Sequence, residues 1–157
     1  MVRNSIGHMW PAASEMLLLR TMLLLACGLG MMACSNSGNK NIKFHQYYVQ
    51  GEQLYTKHCS NCHQKNGSGL GRVYPPLNTS DYMQKNLDEV LCQMKYGKKG
   101  EIRVNGITYN MEMKGVISLT ELELAEIATY IYNSWDHQTG IIEIDRVEKA
   151  LAKCQPE

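Results

Sequence analysis

Apolar residues recur at spacings of three and four in three stretches of this chain, with glycine and proline between them. Gln46 to His58 carries Tyr47, Tyr48, Gly51, Leu54 and Tyr55 on that spacing and reads as a helix. Leu87 to Tyr96 sets Leu87, Val90, Leu91 and Met94 on one side, opens in Asp88 and Glu89, and stops at Gly97. Acids at the start suit the helix dipole, and a glycine at the end suits the left-handed cap. A third helix is predicted from Leu119-Thr120-Glu121 through Trp135, burying Leu122, Ala125, Ile127, Ala128, Tyr130 and Ile131. Thr120 can cap it, with Glu123 completing a capping box. A short helical pattern returns at Val147, Ala150 and Leu151.

The segments between are of other kinds. Gly67-Ser68-Gly69-Leu70-Gly71 reads as a flexible loop. Tyr74-Pro75-Pro76-Leu77 is held extended by its prolines, which fix their own φ and restrict the residue before them. Ile102 to Tyr109 alternates around Asn105-Gly106, the signature of a small hairpin or extended loop. The fold class is mainly α.

Thr21 to Met32 has no periodicity and is apolar throughout. It is preceded by Arg20 and followed by polar Ser35 to Asn41; its twelve residues are too few to span a bilayer, so it reads as an export signal. The segment resembles a bacterial lipoprotein signal in which Met31-Met32-Ala33-Cys34 is an imperfect lipobox and Cys34 the lipidated first residue. Leu24-Leu25-Ala26-Cys27 is closer to a lipobox by letter but leaves only six apolar residues after Arg20. A plain cleaved signal and an uncleaved anchor are the alternatives. Met1 to Glu15, with Trp10-Pro11 and an acidic Glu15, fits no signal, and initiation is expected at Met16. The organisation that follows is a leader over 1–33, a flexible tether over 34–45, a folded domain over 46–136 and a C-terminal extension over 137–157.

The leader takes two basic residues and one acidic residue with it, so the remaining chain carries 14 of each and is close to neutral. That balance gives no reason to expect nucleic acid as a partner. The remaining 124 residues suit one domain on a short tether.

Six cysteines then sort into pairs. Cys27 and Cys34 belong to the leader. Cys59-Ser60-Asn61-Cys62-His63 reads C-x-x-C-H, the attachment signature of a c-type haem. Two thiols three positions apart on a helical turn can add to the two vinyl groups of one haem, and the adjacent imidazole then lies under the iron as a proximal ligand. A redox dithiol calls for a βαβ context and a zinc site for a second Cys or His pair, and neither is present. Cys92 and Cys154 remain, an even pair that in an exported protein suggests a disulfide. Such a bridge closes a loop of about 63 residues, worth roughly 4 kcal/mol in the chain-entropy model. Two separate buried thiols are the alternative.

Taken together, Gly51 and Tyr55 eight and four residues before Cys59, Pro75 twelve after His63, Leu77 two further on, and Met113 six before Leu119 resemble a class I cytochrome c. More narrowly, the chain is similar to the monohaem domains of exported bacterial lipoproteins. The resemblance covers Gln46 to Trp135, about three quarters of the chain after the leader. It implies N- and C-terminal helices that cross over one covalently bound haem c, with Gly51 allowing the close approach and Ile127 and Tyr130 as partners. It further implies that the Pro75 carbonyl accepts from the His63 ring, that Tyr74, Pro75 and Leu77 line the haem pocket, and that Met113 is the sixth ligand. Lys114 stands where the family usually has proline. Met111 is the nearest rival to Met113, with His137 or an open site beyond it, while Met83 and Met94 read as core. His58 reads as a surface residue.

The function this implies is a periplasmic, membrane-tethered electron carrier, monomeric and not itself an enzyme, that exchanges electrons with respiratory reductases or oxidases. A haem enzyme or gas sensor with an open sixth site is the rival, and a docking subunit of a respiratory complex is a third reading. Lys95, Lys98 and Lys99 form a small basic cluster, either a solvated face or a patch for an acidic redox partner.

Overall fold

A computed structural model describes residues 37–154. The leader, with Cys27, Cys34 and Met16, lies outside the described residues. Among the described residues six helices and four short strands follow one another: α1 (Ser37–His58), α2 (Ser60–His63), α3 (Asp81–Lys85), α4 (Leu87–Tyr96), β1 (Gly97–Lys98), β2 (Ile102–Val104), β3 (Ile107–Tyr109), β4 (Met113–Lys114), α5 (Glu121–Ile131) and α6 (Ile144–Leu151). The strands form two separate antiparallel pairs, β1 with β4 and β2 with β3. The β2–β3 hairpin turns at Asn105 and Gly106, both at positive φ (50° and 78°), as the right-handed twist of its strands requires.

α1 crosses α5 at Gly51. A Cβ on Gly51 would stand 2.0 Å from the Glu126 carbonyl oxygen and 2.9 Å from the Tyr130 Cβ, so the two backbones meet where no side chain fits. Around this contact the rings of Tyr48, Tyr55, Tyr130 and Trp135 pack at centroid distances of 5.2 to 6.1 Å in tilted and edge-on arrangements, which the ring quadrupoles favour.

α1 begins nine residues before the expected Gln46, so the segment read as a flexible tether is helical from Ser37 on. One partner distant in sequence contributes: Lys43 Nζ donates to Glu143 at 2.5 Å. Within the helix Lys43 also lies over the Tyr47 ring and Phe44 stacks on Tyr48, each contact one turn on. Periodicity within the segment cannot register a partner a hundred residues away.

α4 has the bounds its pattern predicts, and Gly97 ends it with a φ of 90°. α5 opens with the expected capping box, in which the Thr120 hydroxyl accepts from the Glu123 N–H and the Glu123 carboxylate accepts from the Thr120 N–H. It closes at Ile131, four residues short of Trp135. There the Asn133 amide donates to the Thr129 carbonyl and to the Gly140 carbonyl, each at 2.7 Å, and turns the chain. Leu122, expected inside, is exposed because it lies in the first turn, before α5 enters the core.

Farther along, α5 is buried on nearly every side, Thr129 included. The Thr129 hydroxyl accepts from the Ile142 N–H at 2.9 Å, so the extension after α5 covers this side of the helix. α6 then lies against α4 and α5 through the fully buried Val147 and Ala150, and a disulfide joins Cys92 to Cys154 with Cα atoms 5.7 Å apart.

Two stability outcomes follow from these contacts. Gly51→Ala should cost at least the upper end of the about 1–3 kcal/mol typical of overpacking, read from chemical denaturation, because the atom it meets is backbone. Thr120→Ala should cost about 1 kcal/mol at neutral pH. The Thr120 N–H, first, and then its hydroxyl hold the Glu123 carboxyl below the usual carboxylate range. The box therefore stabilises above that range and weakens as pH falls through the depressed value. In Thr120→Ala the N–H remains, and an NMR titration should find Glu123 still depressed.

Candidate haem site

The chain does not pause between α1 and the attachment motif. The Cys59 N–H donates to the Tyr55 carbonyl at 2.8 Å, and the His63 N–H to the Cys59 carbonyl at 3.0 Å, so the helical rise carries across both cysteines. Cys59, Cys62 and His63 thereby reach one wall of a cavity of about 580 Å³. That size lies within the roughly 300–1,000 Å³ usual for cofactor sites. The lining is mostly apolar: Val90 and Met94 from α4, Leu77 and Met83, and Ile127 and Ile131 from α5.

His63 is buried, and its Nδ1 hydrogen-bonds the Pro75 carbonyl at 3.1 Å. With Nδ1 so engaged, Nε2 is the nitrogen left for a metal. Burial lowers the His63 pKa, against a smaller opposing effect of the Pro75 bond, so the ring is neutral at neutral pH, the form that ligates iron. Burial also pushes the Cys59 thiol up to about 12. A redox dithiol needs the opposite shift, because thiolate is its reactive form. Among the described residues no cluster of three or more His, Cys, Asp and Glu could hold a bare metal ion.

The glycine loop read as flexible is in fact the support of the Pro75 carbonyl. Gly69 has a φ of 67°, and a Cβ there would stand 2.3 Å from the Tyr74 oxygen and 2.6 Å from the Pro75 oxygen. Its N–H donates to the His63 carbonyl at 3.0 Å, and the Leu77 N–H donates to the Gly67 carbonyl at 2.7 Å. His137, weighed as a distant candidate for the sixth ligand, stands outside the cavity lining: its Nε2 hydrogen-bonds the Leu77 carbonyl at 2.9 Å. It supports the loop from behind.

Tyr74, Pro75 and Leu77 all line the cavity, and the neighbouring Cys62 thiol raises the Tyr74 pKa. Met113 lines the cavity from β4 and is half-buried, while Met111 also lines it but is 55% exposed. Met83 and Met94 are buried, as expected of core residues, and also form part of the cavity wall. His58, read as a surface residue, is half-buried at the rim of the cavity. Lys95 does not join Lys98 and Lys99 in a basic patch, because its Nζ donates to the Ile117 and Leu119 carbonyls at 2.8 and 2.5 Å.

Pattern reading missed a polar group in the wall. The Gln93 amide donates to the Tyr82 hydroxyl at 2.6 Å, which donates to Glu89 at 2.5 Å, and both Gln93 and Tyr82 line the cavity. Burial, first, and the Glu89 bond push the Tyr82 pKa up to about 12. Gln93 was within reach of the helical spacing, since it falls three after Val90 on the face that Met94 shares.

Two thiols beside one neutral imidazole, at the wall of an apolar cavity that helices enclose, fit a covalently attached haem held by two thioethers and His63. The chain matches the family model described as Cytochrome c over residues 48–135. It is 30% identical over 91 residues to a cytochrome c-552 of Thermus thermophilus, an alignment that covers 55% of this chain and 69% of that protein. A second cytochrome c-552, from a particular strain of the same species, is likewise 30% identical over 91 residues, and the chain spans 61% of its length. This chain belongs to the cytochrome c family, with a class I domain that binds haem c covalently.

Replacing both Cys59 and Cys62 with Ser should leave the haem extractable by acidified organic solvent, whereas the native protein should retain it through the same extraction. Pyridine haemochrome spectra of the two fractions decide the outcome.

Proposed function

We propose that this protein is an exported, membrane-tethered electron carrier of a respiratory chain, with one haem c ligated by His63 and Met113. The observation that carries the reading is that an imidazole and a thioether line the same cavity: His63, held by the Pro75 carbonyl, and Met113, held by the β1–β4 ladder. The bound haem supplies a one-electron ferric–ferrous couple, and a thioether donor favours the ferrous side relative to bis-His ligation.

The chain's part is to keep both donors in place and to exclude water. Leu77, Val90, Met94, Ile127 and Ile131 present hydrocarbon to the cavity, so solvent rearranges little when charge changes there. With His63 and Met113 both holding the haem iron, the chain would leave no position on it for a substrate, and this favours a carrier over an enzyme. Partner contacts would be small and brief, as redox encounters are, and the protein would act as a monomer. Lys98 lines the cavity and Lys99 pairs with Glu112 at 3.8 Å; the two lysines would be the basic part of a contact face.

Export rests on the leader and on the chemistry of the cysteines. Cys34 would carry the lipid, and the tether would raise the carrier's local concentration near membrane-bound reductases and oxidases on the periplasmic side. Among the described residues no helix is long and apolar enough to cross a membrane.

The ferric protein should show the weak long-wavelength band of sulfur-ligated haem, and the ferrous protein should resist carbon monoxide. Met113→Ala should lose the band and bind carbon monoxide readily, while Met111→Ala should change neither. A native protein that lacks the band and takes up carbon monoxide freely would instead be a sensor or an enzyme with an open site.

A further inference from the structure

Residues 137–154 lie beyond the stretch that matches the family, yet they are built into the core. We infer that this extension, fastened by the Cys92–Cys154 bridge, is a positioning device for Met113. The inference rests on Met113 being the sixth ligand.

α4 is the element through which it acts. One face of α4 lines the haem cavity with Val90, Gln93 and Met94. The other face is gripped by α6 and the residues that follow it: Cys92 is bridged to Cys154, Asp88 pairs with Arg146 and, at 3.7 Å, with Lys153, and Val147 and Ala150 are fully buried. The extension therefore holds α4 from behind, against the cavity.

The last turn of α4 in turn carries the Met113 segment. Gly97 leads directly into β1, and β1 pairs with β4 in the register Gly97 with Lys114 and Lys98 with Met113. Beyond β4, the Val116 N–H donates to the Met94 carbonyl at 3.0 Å, and Lys95 Nζ holds the Ile117 and Leu119 carbonyls. β4 has two residues and, among the described residues, no strand beside it but β1. A two-stranded ladder of that length has little stability of its own. The place of Met113 is thus set by the place of α4, and Cys92 lies about one helical turn before the point where α4 hands over to β1.

A merely structural role for the extension predicts a different pattern from a positioning role. Asn133→Asp provides the contrast, because Asn133 ties the start of the extension to the end of α5 through Thr129 and Gly140, away from the bridge and ion pairs by which the extension holds α4. The experiment compares the haem-loaded full chain with its C92S/C154S and N133D variants by thermal unfolding, by the sulfur band of the ferric form and by carbon monoxide binding to the ferrous form. Both variants should melt lower. Only C92S/C154S should lose sulfur-band intensity, with a rise of roughly two- to thirty-fold in apparent carbon monoxide affinity, the range found for coupling through packed elements. If C92S/C154S melts lower but keeps the native band and affinity, or if N133D shifts them equally, the inference is wrong. A native protein without the sulfur band would instead remove Met113 as ligand, a failure distinguishable from the first. Should C92S/C154S not fold, Val147→Ala, which trims the buried contact of α6 and leaves the bridge intact, should show the same shift on a smaller scale; an unchanged band there would overturn the inference.

Discussion

The contact at Gly51 is the constraint from which the architecture follows. Two helix backbones touch there, with the Glu126 carbonyl 2.0 Å from where a Cβ would be. That closeness fixes where α1 lies on α5, and since the attachment motif follows α1 without a break, it also fixes where Cys59, Cys62 and His63 stand relative to Ile127 and Ile131 on α5. One wall of the cavity is thereby set by a single residue that lacks a side chain. The aromatic cluster of Tyr48, Tyr55, Tyr130 and Trp135 surrounds the crossing and resists its rotation.

The His63 wall of the cavity is held by backbone, and Met113 by a ladder. At the first a carbonyl, supported by a tightly packed glycine loop and by His137, orients one imidazole. At the second two residues of strand carry one thioether. The two sides differ in robustness. The first is over-determined by several hydrogen bonds within one short loop, and the second leans on a helix that is itself held from outside the family's domain. The polar Gln93–Tyr82–Glu89 chain gives α4 a further link from the cavity wall to the surface.

Local physics made much of this legible in the sequence. The bounds of α4, the capping box at Thr120, the turn at Asn105-Gly106 and the attachment motif all depend on residues within a few positions of one another, and each is found in the structure. What escaped was decided at a distance. α1 starts early because Lys43 finds Glu143. Thr129 is buried because Ile142 returns to satisfy its hydroxyl. The loop at Gly67 to Gly71 is packed because Trp135 and His137 lie behind it, and Lys95 leaves the basic cluster because two carbonyls from the next segment receive its ammonium. In each case one helix or loop was read by itself, and a partner far along the chain changed its environment.

The burial of Cys59 bears on how four sulfurs find their proper fates in one small domain. Four cysteines allow three full pairings, and only one of them joins Cys92 to Cys154. Completing that pairing would also close Cys59 on Cys62 and oxidise the two thiols the haem requires. Exchange proceeds through thiolate, and a thiol pushed up to about 12 is almost wholly protonated at neutral pH. Burial therefore holds one of the two thiols the haem requires away from its reactive thiolate form, while the other two cysteines of the domain are joined to each other behind α4.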